Sequence, residues 1–173
     1  MNTIIDVDYV IRYFQFSKNI DRLAIERAIR EAQALDLPKW LCDAYLIEVV
    51  NRPNDFTDLL EYHEWETDGK KYFHNGLRLA IAYFSAARYL REKVGVDTPF
   101  GFVEKKTEWS ENVDENRRKK LANEYEKIAE RYMEKIDMFL KMTDYGYYST
   151  YCPRMCVDDN FRLTITAIKK NDE

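Results

Sequence analysis

Glycine and proline are scarce in this 173-residue chain, five and four residues respectively; histidine occurs twice and cysteine three times. So few glycines exclude the clustered turns that bring backbone N–H groups against a phosphate, and no P-loop or dinucleotide spacing occurs. Ser17, Ser85, Ser110 and Ser149 lie outside any G-x-S-x-G context, which excludes the hydrolase elbow. Cys42, Cys152 and Cys156 are an odd, sparse set, unlike the paired framework of small secreted domains, and imply inert thiols in a reducing compartment. Neither His63 nor His74 belongs to a Cys/His pair, so the Cys152 and Cys156 spacing does not build a structural zinc site. We expect no metal and no cofactor. No apolar run approaches the ~20 residues that cross a bilayer, and the start MNTIIDVDYV lacks a basic region followed by an apolar stretch. Neither a membrane anchor nor secretion is expected.

What is present suits a folded domain. Apolar residues make up 46% and charged residues 34%, enough to bury a core and too patterned for a disordered chain. The length fits one domain. Thirteen tyrosines, nine phenylalanines and three tryptophans stand out. Tyrosine joins a large apolar face to a hydroxyl that tolerates water, which suits either protein interfaces or a core with hydroxyls at its rim. The net charge of −4 repels polyanions on average. The one compact basic run, Arg117, Arg118, Lys119 and Lys120, lies among Glu111, Asp114, Glu115 and Glu124 and reads as a solvated helix face. Glu61, Glu64 and Glu66 beside His63 read as solvated too, so no catalysis is expected.

Along the chain, helical periodicity dominates. Asp6 and Asp8 offer N-caps for a first helix over 6–14, and Leu23, Ala24, Ala28, Ile29, Ala32 and Leu35 form the stripe of a second, ending near Asp36. Pro38 suits the first turn of a third helix reaching about Val50, with another turn or two over 55–60. Asp68-Gly69 is the tight-turn pair of a hairpin over 64–73 that includes Trp65 and Tyr72. Residues 77–91 are apolar on nearly every face, a central buried helix, and residues 98–103 read as an extended linker pinning Phe100 and Phe102. Leu121, Tyr125, Ile128, Tyr132, Ile136, Phe139 and Leu140 mark a long helix over 114–142. Residues 143–151, with Tyr145, Tyr147, Tyr148 and Tyr151, read as a loop or arm. Phe161, Leu163 and Ile165 then alternate with polar residues in a strand over 161–168, whose partner is either the hairpin of the same chain or a strand of another subunit. The expected fold is mainly α: a helical domain over 1–142 with a small hairpin, and a C-terminal arm with a strand over 143–173.

The order of segments is distinctive. Phe73-His74-Asn75-Gly76-Leu77-Arg78 leads into Ala80, Tyr83, Phe84, Arg88, Tyr89 and Leu90, then into Thr98-Pro99-Phe100-Gly101-Phe102-Val103 and Lys105, with Ser110 before the long helix. Over residues 6–142 this resembles the head–tail connector, or neck adaptor, proteins of tailed bacteriophages, particularly the short-tailed crAss-like group. The resemblance implies a virion structural protein at the head–tail junction, a ring commonly of twelve copies. The ring would stack on the portal protein, meet neighbouring neck or tail rings, and pass DNA through its axis without specific binding. Its contacts would lie at Trp65, Asp68, Gly69, Tyr72, Phe100, Phe102, Tyr145, Tyr147, Tyr148, Tyr151, Phe161, Leu163 and Ile165. Two other classes are carried beside it. One is a regulatory or nucleic-acid-associated helical protein using Arg117, Arg118, Lys119 and Lys120 as a phosphate patch. The other is a small metal protein or enzyme built on Cys152, Cys156 and His63.

Overall fold

The computed structural model describes residues 2–14, 20–92, 96–98, 101–103 and 115–153. The fold is mainly α. Helix α1 (Val7–Phe14) begins where Asp6 Oδ1 accepts the Tyr9 amide at 2.7 Å, and α2 (Arg22–Glu31) where Asp21 Oδ1 accepts the Ala24 amide at 3.1 Å. Both acidic caps satisfy N–H groups that a helix start leaves unpaired. The second stripe is narrower than its periodicity suggests. Ala24, Ile25, Ala28 and Ile29 are buried, whereas Leu23 and Leu35 stand 77% and 57% exposed.

After α2 the backbone widens into a π-helical turn, Ala32–Asp36, which carries Gln33 and Asp36 inward. The Gln33 amide pairs with the N-terminal segment on both sides, accepting from Ile4 N–H at 2.9 Å and donating to Asn2 O at 3.0 Å. Asp36 receives a two-pronged bond from Arg88, Nε at 2.7 Å and Nη2 at 3.0 Å, which fixes this turn against the central helix. Pro38 lies in a short 3-10 turn (Leu37–Lys39) rather than inside the third helix, because Cys42 adopts an extended conformation and α3 (Asp43–Asn51) starts only after it. A 3-10 turn (Pro53–Phe56) and a single helical turn α4 (Thr57–Leu60) follow.

Strands β1 (His63–Thr67) and β2 (Lys70–His74) form the expected hairpin, with Thr67 opposite Lys70 and His63 opposite His74. Asp68 and Gly69 both take positive φ, 53° and 70°, the geometry that matches hairpin twist. Gly76, at φ 86°, closes the approach to α5 (Leu77–Glu92). A Cβ there would sit 2.4 Å from the Leu60 carbonyl oxygen, so no other residue fits without moving backbone. Residues expected as a linker instead pair as β3 (Val96–Thr98) and β4 (Gly101–Val103), antiparallel.

Helix α5 packs along the long helix α6 (Glu115–Thr143), and the apolar core gathers around this pair. The buried face of α6 runs through Ala122, Ala129, Met133, Ile136, Phe139 and Leu140, while Leu121, placed by periodicity in the stripe, is 36% exposed. The buried face thus includes two small residues, Ala122 and Ala129, and the flexible Met133 beside the larger members of the stripe. Beyond α6 the chain does not depart as an arm. A 3-10 turn (Tyr145–Tyr147) and α7 (Tyr148–Tyr151) fold back onto α3, so position 143 does not divide body from arm. The strand expected over 161–168 lies outside the described residues.

Candidate interaction surfaces

The aromatic side chains resolve into layers with distinct roles. Tyr45 and Tyr148 have no exposed surface, and their rings meet edge to face at 5.1 Å. Each hydroxyl finds a backbone acceptor: Tyr45 donates to the Tyr145 carbonyl at 2.9 Å and Tyr148 to the Trp40 carbonyl at 3.2 Å. Burial pushes the Tyr45 hydroxyl far up from its ordinary range, so it remains a donor. A disulfide joins Cys42 to Cys152, Cα atoms 5.6 Å apart, and clamps the end of α7 to the start of α3. This corrects two sequence expectations. The cysteines at 42 and 152 are not inert thiols, and Tyr148 is a core residue, unable to contact a neighbour while the segment is docked. A pairing across 110 positions leaves no local spacing signal. Cys156 lies outside the described residues.

Of the other arm tyrosines, Tyr145 and Tyr151 are half-buried and Tyr147 is exposed at 74%. Most of the thirteen tyrosines sit at a core rim, and the exposed ones are Tyr13, Tyr62 and Tyr147. Composition had left interface and rimmed core open; for the majority the rimmed core describes the outcome.

The hairpin has two unlike faces because its side chains alternate. Inward, Trp65 is buried and stacks on Tyr72 with ring centroids 5.5 Å apart, and Phe139 of α6 packs against Trp65, His63 and His74. His74 is fully buried, and its Nδ1 accepts the Gly76 N–H at 3.1 Å. Loss of water, reinforced by the neighbouring His63, lowers its pKa to about 4 and keeps it neutral. Outward, the hairpin shows Glu64, Glu66, Lys71 and Phe73, and Tyr62 precedes it. Phe73 is 47% exposed under the Lys135 ammonium, 4.0 Å from the ring centre, and Tyr62 is 57% exposed. Asp68 and Gly69 sit at the exposed tip.

The remaining sequence-marked residues divide simply. Phe100, Phe161, Leu163 and Ile165 lie outside the described residues, and Phe102 is placed within β4. Thus the structure brings Trp65 and Tyr72 together in one layer, whose bridge to Tyr145 is Phe139, 5.2 Å from that ring. Tyr147 stands apart. Arg117 and Lys120 border a depression of about 560 Å³ together with Leu121 and Glu124, and that carboxylate opposes a phosphate there. Among the described residues, no group of three or more His, Cys, Asp or Glu side chains is arranged to hold a metal ion. No helix among them is long and apolar enough to cross a membrane.

Residues 37–160 match a protein-family model described as a family of unknown function (DUF6712). That stretch runs through α7 and the disulfide rather than stopping at the end of α6. No curated protein and no solved structure gives a match.

Proposed function

The chain belongs to the family of unknown function DUF6712, and since that description carries no activity, we propose a role from the surfaces: a structural subunit of a bacteriophage head–tail connector ring that stacks on the portal and forms part of the DNA channel. The observation that carries it is the distribution of exposed apolar side chains. Leu23 lies on α2, Leu35 on the π-helical turn after it, Ile47 on α3, and Tyr62 with Phe73 at the hairpin. A ring closes through two different surfaces on each subunit, and exposed apolar side chains on separate elements are consistent with that requirement. The resemblance of the segment order to neck adaptor proteins supports the same reading. The acidic balance suits a channel that must not grip DNA, since like charge keeps phosphate from binding tightly.

Mass determination by light scattering, on the chain alone and then with a candidate portal protein from the same genome, tests the role. A closed ring or portal-dependent assembly is expected. A monomer indifferent to the portal removes the proposal, and salt-dependent DNA binding by that monomer would move the assignment to the 117–120 basic face.

A further inference from the structure

Resting on the connector reading, we propose that the open edge of β1 is completed by residues 161–168 of a second copy, which adds a third strand to the hairpin. The two-residue turn makes Thr67 and Lys70 the closing hydrogen-bonded pair, so the ladder alternates back from them. His63, Trp65 and Thr67 face β2 with their N–H and C=O groups, and those of Glu64 and Glu66 point to the other side. Among the described residues, Glu64 and Glu66 make no backbone hydrogen bond outside the hairpin. The opposite edge is flanked: α6 lies along β2, where Lys135 covers Phe73. β1 is therefore the edge left to pair.

The site has further unfilled capacity. A depression of about 210 Å³ runs beside Glu64, Trp65, Glu66 and Lys71, and Trp65, only 8% exposed, has an indole N–H with no acceptor. A two-stranded sheet is marginal alone, and a third strand with an apolar face strengthens it.

The occupant follows from alternation and charge. In residues 161–168, Phe161, Leu163 and Ile165 fall on one face and Arg162, Thr164 and Thr166 on the other. With the apolar face beside Trp65, Arg162 comes to the side of Glu64 and Glu66, both exposed and without an ion pair among the described residues. Only seven residues lie between Pro153, the last described position, and Phe161, a reach of about 28 Å at full extension. That length sets the span the segment can cover from the disulfide-clamped end of α7.

Hydrogen exchange at the Glu64 and Glu66 amides, on the full-length chain at low and high concentration with mass followed in parallel, decides the matter. We expect at least 100-fold slower exchange in the assembled form than in the dilute one. Glu66→Pro removes one outward N–H while leaving the hairpin's own ladder intact, and should weaken association at least tenfold; Glu66→Gln, which keeps that N–H, should weaken it far less. Rings whose Glu64 and Glu66 amides exchange freely would overturn this pairing and leave the connector reading standing. Equal protection at every concentration in a monomer would mean the chain's own strand fills the edge, again overturning it. A monomer with unprotected amides would remove both readings.

Discussion

The α5–α6 pair and the aromatic layer attached to it bury their surfaces with different proportions of material: the helix pair adds the ring contacts of Tyr83 with Tyr125 and Tyr132 to its alanines. Along the helix pair, fully buried alanines recur, Ala80 on α5 and Ala122 and Ala129 on α6, and small side chains let two helix axes approach closely. Around the C-terminal half of α6, rings take over: Trp65, Tyr72, His63, His74 and Tyr145 all belong to the layer through or around Phe139. The difference follows element length. Long helices have enough internal hydrogen bonds to need only close contact, whereas a five-residue strand pair and a four-residue helix cannot stand without a large anchor.

Phe139→Ala is therefore the sharpest way to break the comparison. Deleting a ring that is 2% exposed costs about 3–5 kcal/mol of stability, measured by urea unfolding. The loss should also be uneven. Hydrogen exchange should show β1, β2 and residues 145–152 losing protection before the α5–α6 pair does. Uniform loss would mean that the aromatic layer and the helix pair open as one unit.

The disulfide supplies the second test, since it ties the short tyrosine segment where ring packing already holds it. Removing it as Cys42→Ser/Cys152→Ser should lower stability by about 2–4 kcal/mol, because the cross-link closes a long loop of the unfolded chain. Tyr148 and its bond to Trp40 should keep α7 docked in the reduced form, visible as retained protection of the Cys152 amide. Thiol titration of the unreduced, denatured chain should find one free cysteine of three. Three would contradict the pairing.

The two regions also differ in how much of them the sequence discloses. Helices α5 and α6 were legible to within a residue or two at their ends, because uninterrupted apolar character and three-four spacing are properties of neighbouring positions. The hairpin was legible for the same reason, with Asp68-Gly69 fixing its turn. What escaped was set by contacts across the fold. The burial of Tyr148, the Cys42–Cys152 bond, and the choice of Ala122, Ala129 and Met133 over Leu121 depend on which distant element arrives. Tyr148 differs from Tyr147 in no local feature, yet one is core and the other 74% exposed. At the surface, alternation identified which hairpin residues share a face but not that Phe139 would cover the inner one.

Acid separates the two regions most gently, because a buried titratable side chain belongs to the aromatic layer. His74 has a pKa near 4 when folded against an ordinary 6.5 when unfolded, so between those values the unfolded chain binds the extra proton. Its contribution is complete above about pH 6.5 and is lost as pH falls toward 4. At pH 5.5 the loss is on the order of 1 kcal/mol. His63 and Asp58 act on the same group, the first lowering its proton affinity and the second raising it. The expected result is a wild-type stability that falls between pH 7 and 5.5, with that slope reduced in His74→Leu. An unchanged slope would show that His74 takes up its proton without disturbing the layer, and that the hairpin opens to water more readily than its packing against Phe139 implies.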